Sequence, residues 1–306
     1  MKRREFIKKS ITSGVVAGSA LTFMPYRNLF GAYNNPADPY DLVAIKGGEP
    51  HLMFDTAIES LGGMRKFVKS GQRVVVKPNI GWDASPERAA NTNPRLVGRI
   101  VEHCFNAGAK EVLVFDNTCN DWNKCYSNSG IEKAVKDAGG KMVPGNTEGY
   151  YHKVAVTQGK SLKDSKVHEL ILESDVFINV PVLKHHAATG LSISMKNLMG
   201  IIWDRRYWHR NDLHQCIADF TTWSKPDLNI IDAYRVMQKN GPRGVSVDDV
   251  GLYKAQIIST DMVVADTSAT KLFGSDPADV DYLKIADQMG VGTMDLKSLN
   301  IKKIMI

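Results

Sequence analysis

Lysine, histidine, serine and asparagine crowd one short window, NVPVLKHHAATGLSISMKNLMG, at positions 179–200. Lys184, His185 and His186 leave an apolar run, and Ser192, Ser194, Lys196 and Asn197 follow among Leu, Ile and Met. A lysine ammonium is a compact point charge that attracts carboxylate or phosphate oxygens. An imidazole titrates near neutrality and can transfer a proton or ligate a metal. Adjacent strand residues point to opposite faces, so one of His185 and His186 is expected at the site and the other elsewhere. Both, with Lys184, are candidate catalytic groups. Polar side chains amid apolar neighbours need partners once buried, so Lys196 and Asn197 read as ligand-binding. A helical LSISMKNLMG would place Ser192, Met195 and Met199 on one face and offer first-turn N–H groups to an anion.

A second constellation is Lys77-Pro78-Asn79, directly after the β-branched run RVVV. Here Lys77 sets a charge at a strand end and Asn79 adds a donor and an acceptor in a proline-fixed loop, an arrangement suited to an anionic oxygen. Asp116 follows VLVF and Asp232 follows LNII. With His185 they form a candidate divalent-metal set, although no diagnostic spacing such as HExxH is present. Asp261 reads equally as a helix N-cap, and Asp266 as a mid-helix partner for a lysine. Downstream, IIWDRRYWHRND interleaves Trp203, Tyr207 and Trp208 with Arg205, Arg206, His209 and Arg210. This stretch is either a lid over an anionic substrate or a surface loop packing its tryptophans.

These residues need a scaffold that gathers strand ends. LVAIKG, RVVVKPNI, EVLVFDN, DVFINVPVL, LNIIDAYRVM and YKAQIIST read as buried strands. Amphipathic helices are expected over 53–70, over PRLVGRIVEHCFNAGA with its opening proline, and over about 130–138; two more precede Gly274 and Gly290. A short strand is expected near 141–143. Strands alternating with helices predict an α/β fold: a mostly parallel open sheet with helices on both faces and a ligand crevice at the strand C-terminal ends.

The bulk numbers fit that picture. The chain has 306 residues, 43% hydrophobic and 24% charged, in the ordinary globular range. The formal charge is +6, but residues 1–32 hold six Lys/Arg and one acid, leaving 33 basic against 32 acidic residues beyond them. The basic excess is therefore an address and not a nucleic-acid footprint. MKRREFIKKSITSGVVAGSALTFM pairs Arg3 and Arg4 ahead of a weakly apolar, Gly- and Ser-containing run, the twin-arginine export pattern. The expectation is a twin-arginine signal peptide over 1–32, a single α/β domain over 33–306, passage through the Tat translocase, a periplasmic destination and no stable transmembrane segment after processing. Four cysteines, Cys104, Cys119, Cys125 and Cys216, lack the spacing of an iron–sulfur site. Cys119 and Cys125 are close enough in sequence for a local disulfide, or are free thiols.

The blocks VVVKPNI, TNPRLVGRIVEHCFNAGAKEVLVFDN, INVPVLKHHAATGLSISMKNLMGII, LHQCIADF, LNIIDA, NGPRG and STDMVVADTSATKLFG occur in the order in which the DUF362 family carries them. Over roughly residues 70–295 the chain resembles that family, whose biochemistry is not established. Some members add a ferredoxin-type cluster domain whose cysteines this chain lacks. A fainter resemblance, to the N-terminal half of nickel-dependent lactate racemases, implies at most a shared fold. The combined expectation is an exported protein that binds a small anionic molecule, with or without a divalent metal ion, and does not bind nucleic acid. Lys77 and Lys196 clamp the anion, Asn79, Asp116 and Asn197 anchor it, and one histidine acts as ligand or base. Hydrolase, isomerase and redox chemistry all fit. The alternatives are a non-catalytic periplasmic binding or assembly protein, and a racemase- or isomerase-like enzyme with a nickel-type cofactor.

Overall fold

A computed structural model describes residues 40–306. The twin-arginine stretch lies outside the described residues. Along the chain run β1 (Leu42–Lys46), α1 (Pro50–Ser60), β2 (Arg73–Pro78), α2 (Pro94–Asn106), β3 (Glu111–Val114), α3 (Trp122–Asn128), α4 (Ile131–Asp137) and β4 (Lys141–Met142). Next come β5 (Tyr151–Ala155), β6 (Asp164–His168), α5 (Glu169–Glu173), β7 (Val176–Val180), β8 (Val182–His186), β9 (Gly190–Ser192) and α6 (Ser194–Asn197). The remainder is α7 (Arg205–Arg210), α8 (Leu213–Trp223), β10 (Leu228–Met237), β11 (Val250–Ser259), α9 (Met262–Phe273), α10 (Asp281–Gln288) and β12 (Ile301–Met305).

The main sheet runs β12-β1-β11-β10-β7-β2-β3-β4, with β8 alongside β10 and β9 alongside β8. From β10 to β4 every neighbour is parallel, while β11 is antiparallel to both β1 and β10. The fold is thus the expected α/β type, a mostly parallel open mixed sheet. Strand periodicity explains its two cores. On β2, Val74 and Val76 point to one side and Val75 to the other; on β7, Ile178 and Phe177 divide in the same way. The first side is covered by α1, α2 and α4 through Phe54, Ile58, Leu96, Ile100 and Val135. The second is covered by α8, α9 and α10 through Ile217, Phe220, Val263 and Leu283. Among the described residues no helix is long and apolar enough to cross a membrane.

Several local expectations change. The helix expected over 53–70 spans Pro50–Ser60 instead, because Gly62 and Gly63 both take positive φ and break it. DVFINVPVL forms two strands, not one. Pro181 separates β7 from β8, and β8 then pairs with β10 and β9. Lys184, His185 and His186 therefore lie within a strand. Asp232 does not end a strand either, since β10 continues to Met237 past a register irregularity. LSISMKNLMG, considered above as a possible helix, is a three-residue strand, β9, followed by the single turn of α6 and a 3₁₀ turn over Leu198–Ile201.

That short turn is fastened from below. Asp266 on α9 accepts Ser194 N at 2.8 Å and Met195 N at 3.0 Å. The first-turn donors predicted for an anionic ligand are occupied by this buried carboxylate, whose pKa burial pushes up to about 7. Asp261 is an N-cap, accepting from Val263 N and Val264 N. Replacing Asp266 with alanine orphans two buried N–H groups, and each costs about 1–3 kcal/mol when left unpaired. Asp266→Ala is expected to lower the melting temperature far more than Asp266→Asn, which keeps an acceptor; equal losses in thermal melts would refute this capping role.

Candidate functional site

The C-terminal end of β2 meets α6 across the sheet edge. Lys77 Nζ, 1% exposed, lies 3.0 Å from Asp116 Oδ1 and donates to Asn197 Oδ1 at 2.8 Å. Asp116 Oδ2 accepts Ile80 N at 2.7 Å, which locks the carboxylate between β2 and β3. Asn197 Oδ1 also accepts Asn79 Nδ2 at 3.1 Å, and Asn197 Nδ2 donates to Asn179 Oδ1 at 2.8 Å. Asn179 in turn donates to Asn229 Oδ1 on β10 at 3.0 Å. A continuous polar chain thus crosses from β10 through β7 to β2 within otherwise apolar packing.

Lys184 enters from β8. Its Nζ, on a residue 1% exposed, donates to Asn79 Oδ1 at 3.0 Å and to the Ala90 carbonyl. Lys196, on α6, donates to the Met199 thioether at 2.9 Å. Within the described residues neither ammonium is within ion-pair distance of a carboxylate. Burial pulls the Lys184 pKa down to about 7 and that of Lys196 to about 8. Burial also lowers the Lys77 pKa and raises that of Asp116, each opposed by the attraction of its partner.

These groups open onto one cleft of about 490 Å³. Lys77, Asn79, Asp116, Lys184, His186, Lys196 and Asn197 line it, joined by Cys119, Met199, Gly200, Arg205, Arg206 and His209. Five Lys/Arg side chains face it against one carboxylate. Arg205 is held on the rim by the Asn117 and Thr118 carbonyls at 2.8 and 2.6 Å. The aromatic–basic stretch divides: Arg205, Arg206 and His209 face this cleft, while Trp203, Tyr207 and Trp208 line a separate groove of about 410 Å³.

The two histidines also part. His186 lines the cleft, and burial, reinforced by Lys196 and Lys184, pushes its pKa down to about 3. His185 lies outside it, its Nδ1 accepting Gly241 N at 3.1 Å. Asp232 is absent from the lining as well. Its two oxygens accept Asn93 N at 2.7 Å and Tyr234 N at 3.0 Å, and burial raises its pKa to about 6. The proposed metal set of Asp116, His185 and Asp232 is therefore not brought together, and no group of three or more His, Cys, Asp or Glu placed to hold a metal occurs among the described residues. The four cysteines are free thiols: Cys119 is exposed, and Cys104, Cys125 and Cys216 are buried.

Gly200 and Cys119 join the cleft without being among the sequence-based candidates. Gly200 had a readable signal, a glycine inside a buried apolar run. A Cβ built there would collide with Asp116 Oδ1 and Lys77 Nζ. Its carbonyl also accepts Asn117 N at 2.9 Å, closing the 3₁₀ turn onto the residues after β3.

A family model described as "Domain of unknown function (DUF362)" matches residues 74–271. The chain belongs to that family, and every residue named as lining the cleft falls within the match. The chain is 27% identical over 244 residues to the thylakoid-associated protein sll1697 of Synechocystis sp., covering 77% of this chain and 74% of that one. The lactate racemase apoprotein from Thermoanaerobacterium thermosaccharolyticum aligns with 81% of this chain and 60% of its own length, at 12% identity and a TM-score of 0.49.

Gly200→Ala is expected to cost about 1–3 kcal/mol, the usual range for overpacking, by driving Lys77 and Asp116 apart. The comparison is with Gly290→Ala, at a position where nothing lies within 4 Å of the added carbon and only the positive φ resists. A denaturant midpoint for Gly200→Ala indistinguishable from wild type would contradict the close approach.

Proposed function

We propose that this member of the DUF362 family binds a small anion in the strand-end cleft, with Lys184 and Lys196 as the principal counter-charges. One observation carries the reading: three lysines, at 1%, 1% and 8% exposure, converge on a cleft that offers them one carboxylate. Burying an ammonium without a counter-ion is costly. Lys77 has Asp116. Lys184 has neutral oxygens and Lys196 a thioether, so an incoming anion recovers electrostatic energy that the protein alone leaves unrealised. Arg205 and Arg206 extend the positive field to the rim and draw anions inward. Lys77, Asn79, Asp116 and Asn197 act here as a rigid frame, and neutral His186 as a hydrogen-bonding wall.

The lysine pKa values give the reading a pH signature. The folded-state pKa of Lys184 and Lys196 is depressed, so their ammonium forms oppose folding below about 7 and 8. Relief comes as pH rises from there towards the ordinary lysine value of 10.5. Anion binding follows the opposite course: it needs the ammonium forms and weakens as pH climbs through 7 to 8. Malonate, which stays doubly ionised across this range, is a suitable probe. It is expected to raise the melting temperature at pH 6.5 and to lose most of that effect by pH 9. Lys196→Met retains the aliphatic stem and should weaken malonate binding by about tenfold or more, the worth of one charge-assisted hydrogen bond. Calorimetric titration showing unchanged affinity in both Lys184→Met and Lys196→Met sinks the reading.

Export by the Tat translocase belongs to the same proposal, supported by Arg3-Arg4 and the weakly apolar run after them. Changing Arg3 and Arg4 to lysine should retain the folded protein in the cytoplasm, as read by cell fractionation; undiminished periplasmic protein in that variant counts against it.

A further inference from the structure

We propose that Cys119 is a nucleophile of this cleft, placed to attack a small carboxylate that carries an electrophilic carbonyl carbon. The proposal rests on the anion-binding reading and adds a covalent step to it. Cys119 is the exposed member of four free cysteines and lines the same cleft as Lys184 and Lys196. Its Sγ receives an Arg205 guanidinium N–H at 3.3 Å. The loop carrying it is pinned on both sides. Cys119 N donates to Gly81 O at 2.8 Å, and Arg205 holds the two preceding carbonyls. The sulfur is therefore presented at a defined place.

A second observation points independently to a ligand beside it. Lys196 is 8% exposed and borders the cleft, and among the described residues its ammonium donates only to a thioether. An ammonium has three donors and a thioether is a weak acceptor, so most of its capacity is open to an anion. An anion held by Lys196 or Lys184 shares a cavity of about 490 Å³ with the Cys119 sulfur. The ligand that uses both features is small and bears its electrophilic carbon next to the charged group, as an oxo-carboxylate does. In the step itself the sulfur adds to the carbonyl carbon. An S–C bond forms, the C=O π pair moves onto oxygen, and the thiol proton ends on that oxygen. The product is a thiohemiacetal, or a thiohemiketal from a ketone, and no oxidant or reductant is consumed.

Two alkylating reagents that differ by one charge test the placement. With either, the thiolate displaces iodide: the S–C bond forms as the C–I bond breaks. In the folded full-length protein, peptide mapping is expected to find Cys119 as the alkylated cysteine. The ratio of its iodoacetate to iodoacetamide rates should exceed that of a small free thiol by about tenfold, the lower end of electrostatic focusing. Lys196→Met and Lys184→Met should pull the ratio back towards the free-thiol value, and Cys119→Ser should abolish labelling. Glyoxylate should protect Cys119 against iodoacetamide more strongly than glycolate, which has the same charge and no carbonyl. Absence of labelling by both reagents, or equal protection by the two acids, overturns the nucleophile and leaves malonate stabilisation intact. A free-thiol ratio with malonate stabilisation retained puts the anion away from the sulfur and also overturns it. A free-thiol ratio with that stabilisation lost removes the anion-binding reading with it.

Discussion

The buried pair of Lys77 and Asp116 is the contact on which the rest of the strand-end architecture is assembled. Removing an ammonium and a carboxylate from water costs several kcal/mol per ion, and mutual attraction offsets that cost only where further hydrogen bonds complete both groups. Here the completion comes from two directions: the Ile80 amide donates to Asp116, and Lys77 donates to Asn197 Oδ1, which Asn79 holds in place while also accepting from Lys184. Each of those partners must sit at a fixed distance. That requirement explains a glycine at 200, where any side chain would enter the pair, and Pro181, which ends β7 and lets β8 start beside β10 with Lys184 aimed back at Asn79. A single-turn helix such as α6 has little stability of its own. It is held by the Asp266 carboxylate at its start and by the Asn197 network at its end.

The same frame separates lysines that look alike in the sequence. Lys77 is paired in place with the Asp116 carboxylate. Lys184 and Lys196 share its burial and, among the described residues, have no such counter-ion, so the cleft keeps a positive field. The distinction rests on which side chains the fold sets opposite one another, and composition carries no trace of it. The charge count of residues beyond 32 is almost balanced, yet this one cleft faces five cations with one acid.

Much of the fold was legible because burial imposes period and punctuation. β-branched runs marked β2, β3, β7 and β10, an opening proline marked α2, and Gly108 and Gly274 marked helix ends. The convergence of Lys77, Asn79, Asp116, Lys184, Lys196 and Asn197 was readable for a related reason, since a parallel sheet collects strand C-termini on one edge. What failed needed long-range information. Asp232 looked like a strand-end ligand, but its two backbone donors come from Tyr234 and from Asn93, 139 positions away. Asp266 looked like a lysine partner and is instead an acceptor for a turn some seventy residues earlier. His185 and His186 could be predicted to diverge by strand alternation, but which of them met the cleft depended on β8 pairing beyond Pro181.

Proton chemistry in such a cleft is decided by electrostatics more than by residue type. Histidine is the usual acid–base group because its ordinary pKa lies near neutrality. His186 sits against Lys184 and Lys196 in a buried setting that drives its pKa to about 3, so at neutral pH it is an uncharged imidazole and a poor base. The same burial carries Lys184 to about 7, where protonated and neutral forms are both populated and a transferred proton is matched to the surroundings. Of the three candidate groups His185, His186 and Lys184, the electrostatics of the cleft thus favour Lys184 over His186 for holding a titrating proton near neutrality. An anion bound at Lys184 would raise its pKa again and hold the proton in place. Anion binding at Lys184 and loss of its proton would therefore oppose one another, since both act on the same ammonium.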